Sequence, residues 1–231
     1  MAPLRRTPSS GRRYPPGAVP DLPFLPSDPS QLERIAAAFD PEAKVLRSIE
    51  TLAPVEGRRV ALLGTAPLLA ARLTERGASV TTVEPSVAVA AATTFTATGL
   101  ADHSVDVAIA TWTGFDGAAD AAELAEALRI LVPGSGRLLL LKDYGRDDLT
   151  DARGPERTAH LLARSRRDGW LLASGFRLHV IHAWWRFADV AQGTEILNAA
   201  LGGAAEPVIA RLWQPRLAHN VSVFHLTAAE S

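Results

Sequence analysis

The chain has 231 residues, 47 % hydrophobic and 21 % charged, with a formal net charge of −1. This supports one sizeable globular domain and gives no global attraction to nucleic acid or anionic membrane. The absence of cysteine excludes disulfides, cysteine nucleophiles and thiolate metal sites, and it fits a reducing, cytoplasmic setting.

Residues 1–28 carry Pro3, Pro8, Pro15, Pro16, Pro20, Pro23 and Pro26 with few core-forming side chains, so this stretch reads as a disordered or extended tail. Arg5 and Arg6 are not followed by the apolar core of a signal peptide. No apolar run approaches the ~20 residues that cross a bilayer.

Residues 29–56 read as two helices. The first runs through Leu32, Ile35, Ala36 and Phe39. The second has Asp40 as its N-cap and Pro41 at its first position, with Val45, Leu46, Ile49 and Leu52 inward.

From residue 57 the pattern alternates between strand and helix. Val60 to Leu63 is a buried strand that stops at Gly64. Pro67 opens a helix through Leu73, and Gly77 closes it. Val80 to Val83 is a second strand ending at Glu84, twenty positions after Gly64. In a right-handed βαβ unit, the helix start and this acid share the carboxyl edge of the sheet. The helix start offers unpaired N–H groups, and the acid can accept ribose hydroxyls. A nucleoside-containing cofactor suits the unit. So does a ligand-free βαβ packing unit, because Gly64-Thr65-Ala66-Pro67 lacks the G-x-G-x-x-G of a dinucleotide fold.

Thr93 to Thr98 is β-prone and predicts a short third strand. Val105 to Ala110 predicts a strong buried one, followed by Trp112, which either stacks on a ligand ring or anchors a loop. Ala118 to Val132 is amphipathic. Pro133-Gly134-Ser135-Gly136 then turns the chain into a strand over Arg137 to Leu141.

Lys142-Asp143-Tyr144-Gly145-Arg146-Asp147-Asp148 follows at the same edge. This polar cluster either orients a substrate and accepts a proton or is an ion-paired surface loop; its contiguity argues against a metal site. Thr158 to Arg167 reads as a helix. Arg153, Arg157, Arg164, Arg166 and Arg167 form a basic patch, by default a solvated face, otherwise a contact for an anionic substrate or nucleic acid. A long strand covers Phe176 to Phe187, with His179 and His182 on opposite sides. Helices over Ala188 to Leu201 and from Glu206 precede a last strand, Asn220 to Thr227.

Three features together resemble the class I S-adenosylmethionine-dependent methyltransferases. They are the loop at Gly64, the strand-two acid Glu84, and the helix followed by Leu131-Val132-Pro133-Gly134-Ser135-Gly136 and a strand. The departures are Leu62, where the family often has an acid, and Ala66, where a second glycine is usual. The resemblance implies a Rossmann-like α/β fold, a seven-stranded, mostly parallel sheet with helices on both faces, over residues 57–231. It implies S-adenosylmethionine as cofactor and a small-molecule substrate, with nucleic acid and membrane not expected as partners. Gly64, Thr65 and Ala66 would line the methionine end and Glu84 would hold the ribose. Asp102 or His103, with Trp112, would flank the adenine or the substrate. Asp143, Tyr144 or His182 would serve as the general base, if the reaction uses one. The rival readings are a methyltransferase-like binding protein without cofactor and an NAD-dependent enzyme; the latter suffers more from the missing glycines.

Overall fold

The computed structural model describes residues 31–64, 66–84, 86–87 and 93–230. The tail read over residues 1–28 and the loop residue Thr65 lie outside the described residues.

The first two helices are α1 (Leu32–Ala38) and α2 (Lys44–Leu52). Asp40 does cap α2, but from further back than its spacing predicts. Its two carboxylate oxygens accept the backbone N–H groups of Lys44 (3.0 Å) and Val45 (2.8 Å). Ala43 is the boundary residue, at φ 51°, so Pro41 stands in the turn rather than in the helix.

The βαβ unit forms as read: β1 (Arg59–Leu63), α3 (Pro67–Glu75) and β2 (Ser79–Val83). Pro67 is the first residue of α3, where its missing N–H removes no hydrogen bond. Gly77 takes φ 84°, the left-handed turn that brings the chain back toward β2.

The expected third strand does not join the sheet. β3 (Ser86–Val87) and β4 (Thr93–Thr94) pair antiparallel with each other in a separate two-stranded ribbon. The main sheet among the described residues therefore has six strands and is mixed, where seven mostly parallel strands were expected. Two residues a side are too few to span a sheet edge, and the stretch after Glu84 leaves no room for a full crossover helix.

The remaining elements are β5 (Val107–Thr111), α4 (Ala121–Ile130), β6 (Arg137–Asp143), α5 (Thr150–Arg164), α6 (Trp170–Ala173), β7 (Arg177–Arg186), α7 (Val190–Leu201), α8 (Glu206–Ile209) and β8 (Arg216–Thr227). α5 begins eight residues earlier than the periodicity suggests, with a kink at Gly154 (φ 77°) just before Pro155. β8 begins four residues earlier than expected, which brings His219 into the sheet.

The strand order is β2-β1-β5-β6-β8-β7. β2, β1, β5 and β6 pair in parallel, and β8 runs antiparallel to both β6 and β7. Alternation along the strands divides the core. Val60, Leu62, Ile109, Leu139, Leu141, Val221 and Val223 pack beneath α1, α2, α3 and α7. Ala61, Leu63, Ala108, Ala110, Leu138, Leu140 and Phe224 pack on the other face beneath α4 and α6. With both faces covered, β1, β5 and β6 are almost wholly buried, which explains their unbroken apolar runs.

Candidate functional site

Leu63 and Val83 are register partners, and each is the last residue of its strand. The next residues, Gly64 and Glu84, therefore emerge side by side at the carboxyl edge. The Gly64 N–H donates to the Val83 carbonyl at 3.0 Å, and Gly64 sits at φ 105°, which a side chain would strain. Ala66 is buried at the start of α3 and provides no side-chain cap, so the helix start relies on its backbone N–H groups. Glu84 is exposed. Leu62 is fully buried in the core beneath the helices of that face.

Trp112 follows β5 at the same edge, at φ 52°. Its Nε1–H donates to Asp143 Oδ1 at 3.3 Å, and its half-buried indole packs on the core. Asp143 is the last residue of β6 and is 6 % exposed. It accepts hydrogen bonds from His219 Nε2 (3.0 Å) and Arg153 Nε (3.3 Å) as well as from Trp112. Burial alone would raise its pKa; the His219 hydrogen bond and the Arg153 guanidinium outweigh burial and hold the carboxyl well below the usual range. A carboxylate so committed is a poor proton acceptor.

The rest of the polar cluster is folded inward. Arg153 spans Asp143 and Asp147, reaching Asp147 at 2.5 and 3.2 Å. Asp147 also accepts the backbone N–H of Asn220 (2.8 Å), and Asp148 that of Ala218 (2.6 Å). The loop thereby ties β6 to β8. Tyr144 is half-buried beneath the Arg146 guanidinium, 5.6 Å from its ring centroid. Its hydroxyl has no hydrogen-bond partner among the described residues.

Three of the expected site residues lie elsewhere. Asp102 and His103 precede β5, so they stand at the amino edge of the sheet, the opposite end from Glu84. Asp102 pairs with Arg129, and His103 Nδ1 lies 3.0 Å from the Leu131 carbonyl. His182 is on the sheet face opposite the Asp143 carboxylate, since its neighbours Ile181 and Ala183 point into the core that Asp143 borders. Its Nδ1 meets Asn220 Oδ1 at 2.9 Å.

The reading of the sequence missed His219, Arg153 and Lys142 as buried polar residues. His219 occupies an inward position of β8, in phase with Leu217, Val221 and Val223; an earlier strand start would have exposed that pattern. Lys142 is 2 % exposed and donates to the carbonyls of Thr113 (2.9 Å) and Gly114 and to Asp116 Oδ1 (3.3 Å). Burial pushes its ammonium down to about 8. Glu123, also buried, accepts the N–H groups of Phe95 (3.2 Å) and Phe115 (2.9 Å); burial raises its carboxyl. These two side chains hold the loop after β5 in place. Among the described residues no group of three or more acidic or histidine side chains is arranged to hold a metal ion, and no helix is long and apolar enough to cross a membrane.

No protein-family model and no curated protein matches the sequence. Among solved structures, one from Anabaena variabilis, assigned as a methyltransferase of an antibiotic biosynthesis pathway, superposes with a TM-score of 0.52 at 18 % identity, covering 79 % of this chain and 96 % of that one. A S-adenosylmethionine-dependent methyltransferase from Aquifex aeolicus gives a TM-score of 0.47 at 18 % identity, over 86 % and 93 % of the two chains. Phosphoethanolamine N-methyltransferase 2 of Haemonchus contortus, bound to S-adenosylmethionine, gives 0.46 at 16 % identity, over 80 % and 52 %. At these identities the likeness is one of fold. With its βαβ unit, its acid at the end of β2 and its antiparallel last strand, the chain has the fold of the class I S-adenosylmethionine-dependent methyltransferases.

Proposed function

We propose that the protein is a S-adenosylmethionine-dependent methyltransferase acting on a small molecule. The observation that carries this reading is the adjacency of Gly64 and Glu84 at the carboxyl ends of paired strands, beside the start of α3. These groups fit the cofactor: an exposed carboxylate for the ribose hydroxyls, and the side-chain-free backbone of Gly64 with the N-terminal end of α3 at Ala66 for the methionine end. S-adenosylmethionine, when bound, supplies a methyl group on a sulfonium. The chain has then to orient an acceptor and exclude water. Trp112 and Tyr144 are the side chains proposed to border the acceptor. Asp143 acts as a positioning residue, because its carboxylate orients the Trp112 indole. A cysteine-free chain suits cytoplasmic work.

A second reading, a methyltransferase-like binding protein without cofactor, is favoured by Leu62, which puts a core side chain where the family often has an acid.

Thermal unfolding with S-adenosylmethionine, its demethylated product and NAD separates the two. Ligand at 100 times its Kd adds ~2.7 kcal/mol, and a domain this size moves about 2–4 °C per kcal/mol. Stabilisation by the first two and not by NAD is expected; no shift with either methionine compound would favour the second reading.

A further inference from the structure

Arg157, His160 and Arg164 recur at intervals of three and four along α5, so they share one stripe of the helix. Beside that stripe is a cleft of about 330 Å³, lined by Asp116, His160, Arg164, Arg166, Asp168 and an apolar wall that includes Trp170 and Leu171. It opens between α5, α6 and the loop after β5.

Several cations crowd this cleft. Arg166 pairs with Asp168 at the rim. Inside, Lys142 (3.3 Å) and Arg164 (3.0 Å) both contact the single carboxylate of Asp116. Arg157 adds a third cation close enough to act on Asp116, Asp143, Lys142, His160 and Arg164, and it forms no ion pair among the described residues. Burial and these cations, outweighing Asp116, push the His160 imidazole below its ordinary value.

Arg164 itself is incompletely satisfied. It is 5 % exposed, gives Nη1 to Asp116 and Nη2 to the Asp143 carbonyl (2.7 Å), and its buried Nε has no acceptor among the described residues. A buried guanidinium N–H without an acceptor is costly and calls for one.

We propose that this cleft binds a small organic anion, a carboxylate or a phosphate ester on an apolar body, through His160 and Arg164, with the nearby Arg157 adding positive charge. The charged group meets the guanidinium of Arg164, whose Nε has no acceptor among the described residues, and the body lies against Trp170 and Leu171. A planar guanidinium is suited to both kinds of oxyanion. The site needs no bound cofactor and stands whether or not the protein transfers methyl groups.

The test is calorimetric titration of the whole protein, without cofactor, with phenyl phosphate, benzoate and the neutral benzyl alcohol. One anion or both should bind with a Kd of about 1 mM or tighter. Benzyl alcohol should bind at least about tenfold more weakly, and added salt should weaken only the anions. Tighter binding of phenyl phosphate marks a phosphate-ester site, and tighter binding of benzoate a carboxylate site. Arg157→Ala and His160→Gln alter exposed side chains, and each should weaken anion binding about tenfold with the melting temperature unchanged. Failure of both anions to bind, equal binding of benzyl alcohol, or unaltered anion binding in both variants would overturn the proposal.

Discussion

Trp185 Nε1 donates a hydrogen bond to His219 Nδ1 at 3.1 Å, and this contact decides what His219 does. An indole N–H only donates, so Nδ1 must be the accepting nitrogen. Nε2 then carries the hydrogen that His219 gives to Asp143. The imidazole has both ring nitrogens engaged in the core, and through Nε2 it orients Asp143.

Replacing Asp143 with Asn keeps the acceptor for His219 but turns an amide N–H₂ toward the Arg153 guanidinium, donor against donor. The loss of a buried charge partner should cost about 3 kcal/mol, measured by denaturant unfolding. The pH dependence has a definite sign. The folded carboxyl titrates below its unfolded value, so its stabilisation is present above the unfolded pKa, about 4, and is lost as pH falls below it. Asp143→Asn should therefore flatten the acid limb of the stability profile.

Lys142 should act with the same sign of slope, at alkaline rather than acid pH. Its ammonium is lowered from 10.5 to about 8 in the folded protein, so between these values the unfolded chain binds the extra proton and stability rises with pH. Relative to Lys142→Met, the native protein should gain on the order of 3 kcal/mol across that window. At neutral pH the Met variant loses the donor for the Thr113 and Gly114 carbonyls and should be less stable by about 2 kcal/mol. Paired urea titrations at several pH values check both statements.

Glu84→Ala should raise the Kd for S-adenosylmethionine by about ten- to a hundredfold, the loss of one or two hydrogen bonds to a charged acceptor. Because the side chain is exposed, the melting temperature without ligand should barely move. Calorimetry and a thermal scan separate the two effects.

Gly136→Ala addresses the turn before β6. A methyl group there would sit 2.6 Å from the Val132 carbonyl oxygen and 2.8 Å from Leu131 Cβ, closer than such atoms approach. The turn must open, at about 1–3 kcal/mol, and unfolding experiments should show this loss.

Much of the fold was legible because its causes are local. Hydrophobic periodicity and the turn residues Gly64, Pro67 and Gly77 specify β1, α3 and β2, and with them the shared edge of Gly64 and Glu84. The reading failed where local preference was weak: the two short strands after Glu84, the kinked start of α5, and the first residues of β8.

The sequence by itself determined that this chain alternates strand and helix, that it carries an acid at the end of its second strand, and that it forms no disulfide. Only the tertiary structure decided which polar residues meet. Asp143 and His219 are 76 positions apart and touch because β8 inserts beside β6. Asp102 and His103 stand at the far edge from Glu84 because they enter β5 rather than leave it. Periodicity is set by neighbours within a turn or two, whereas such contacts depend on strand order, which many distant pairings select together.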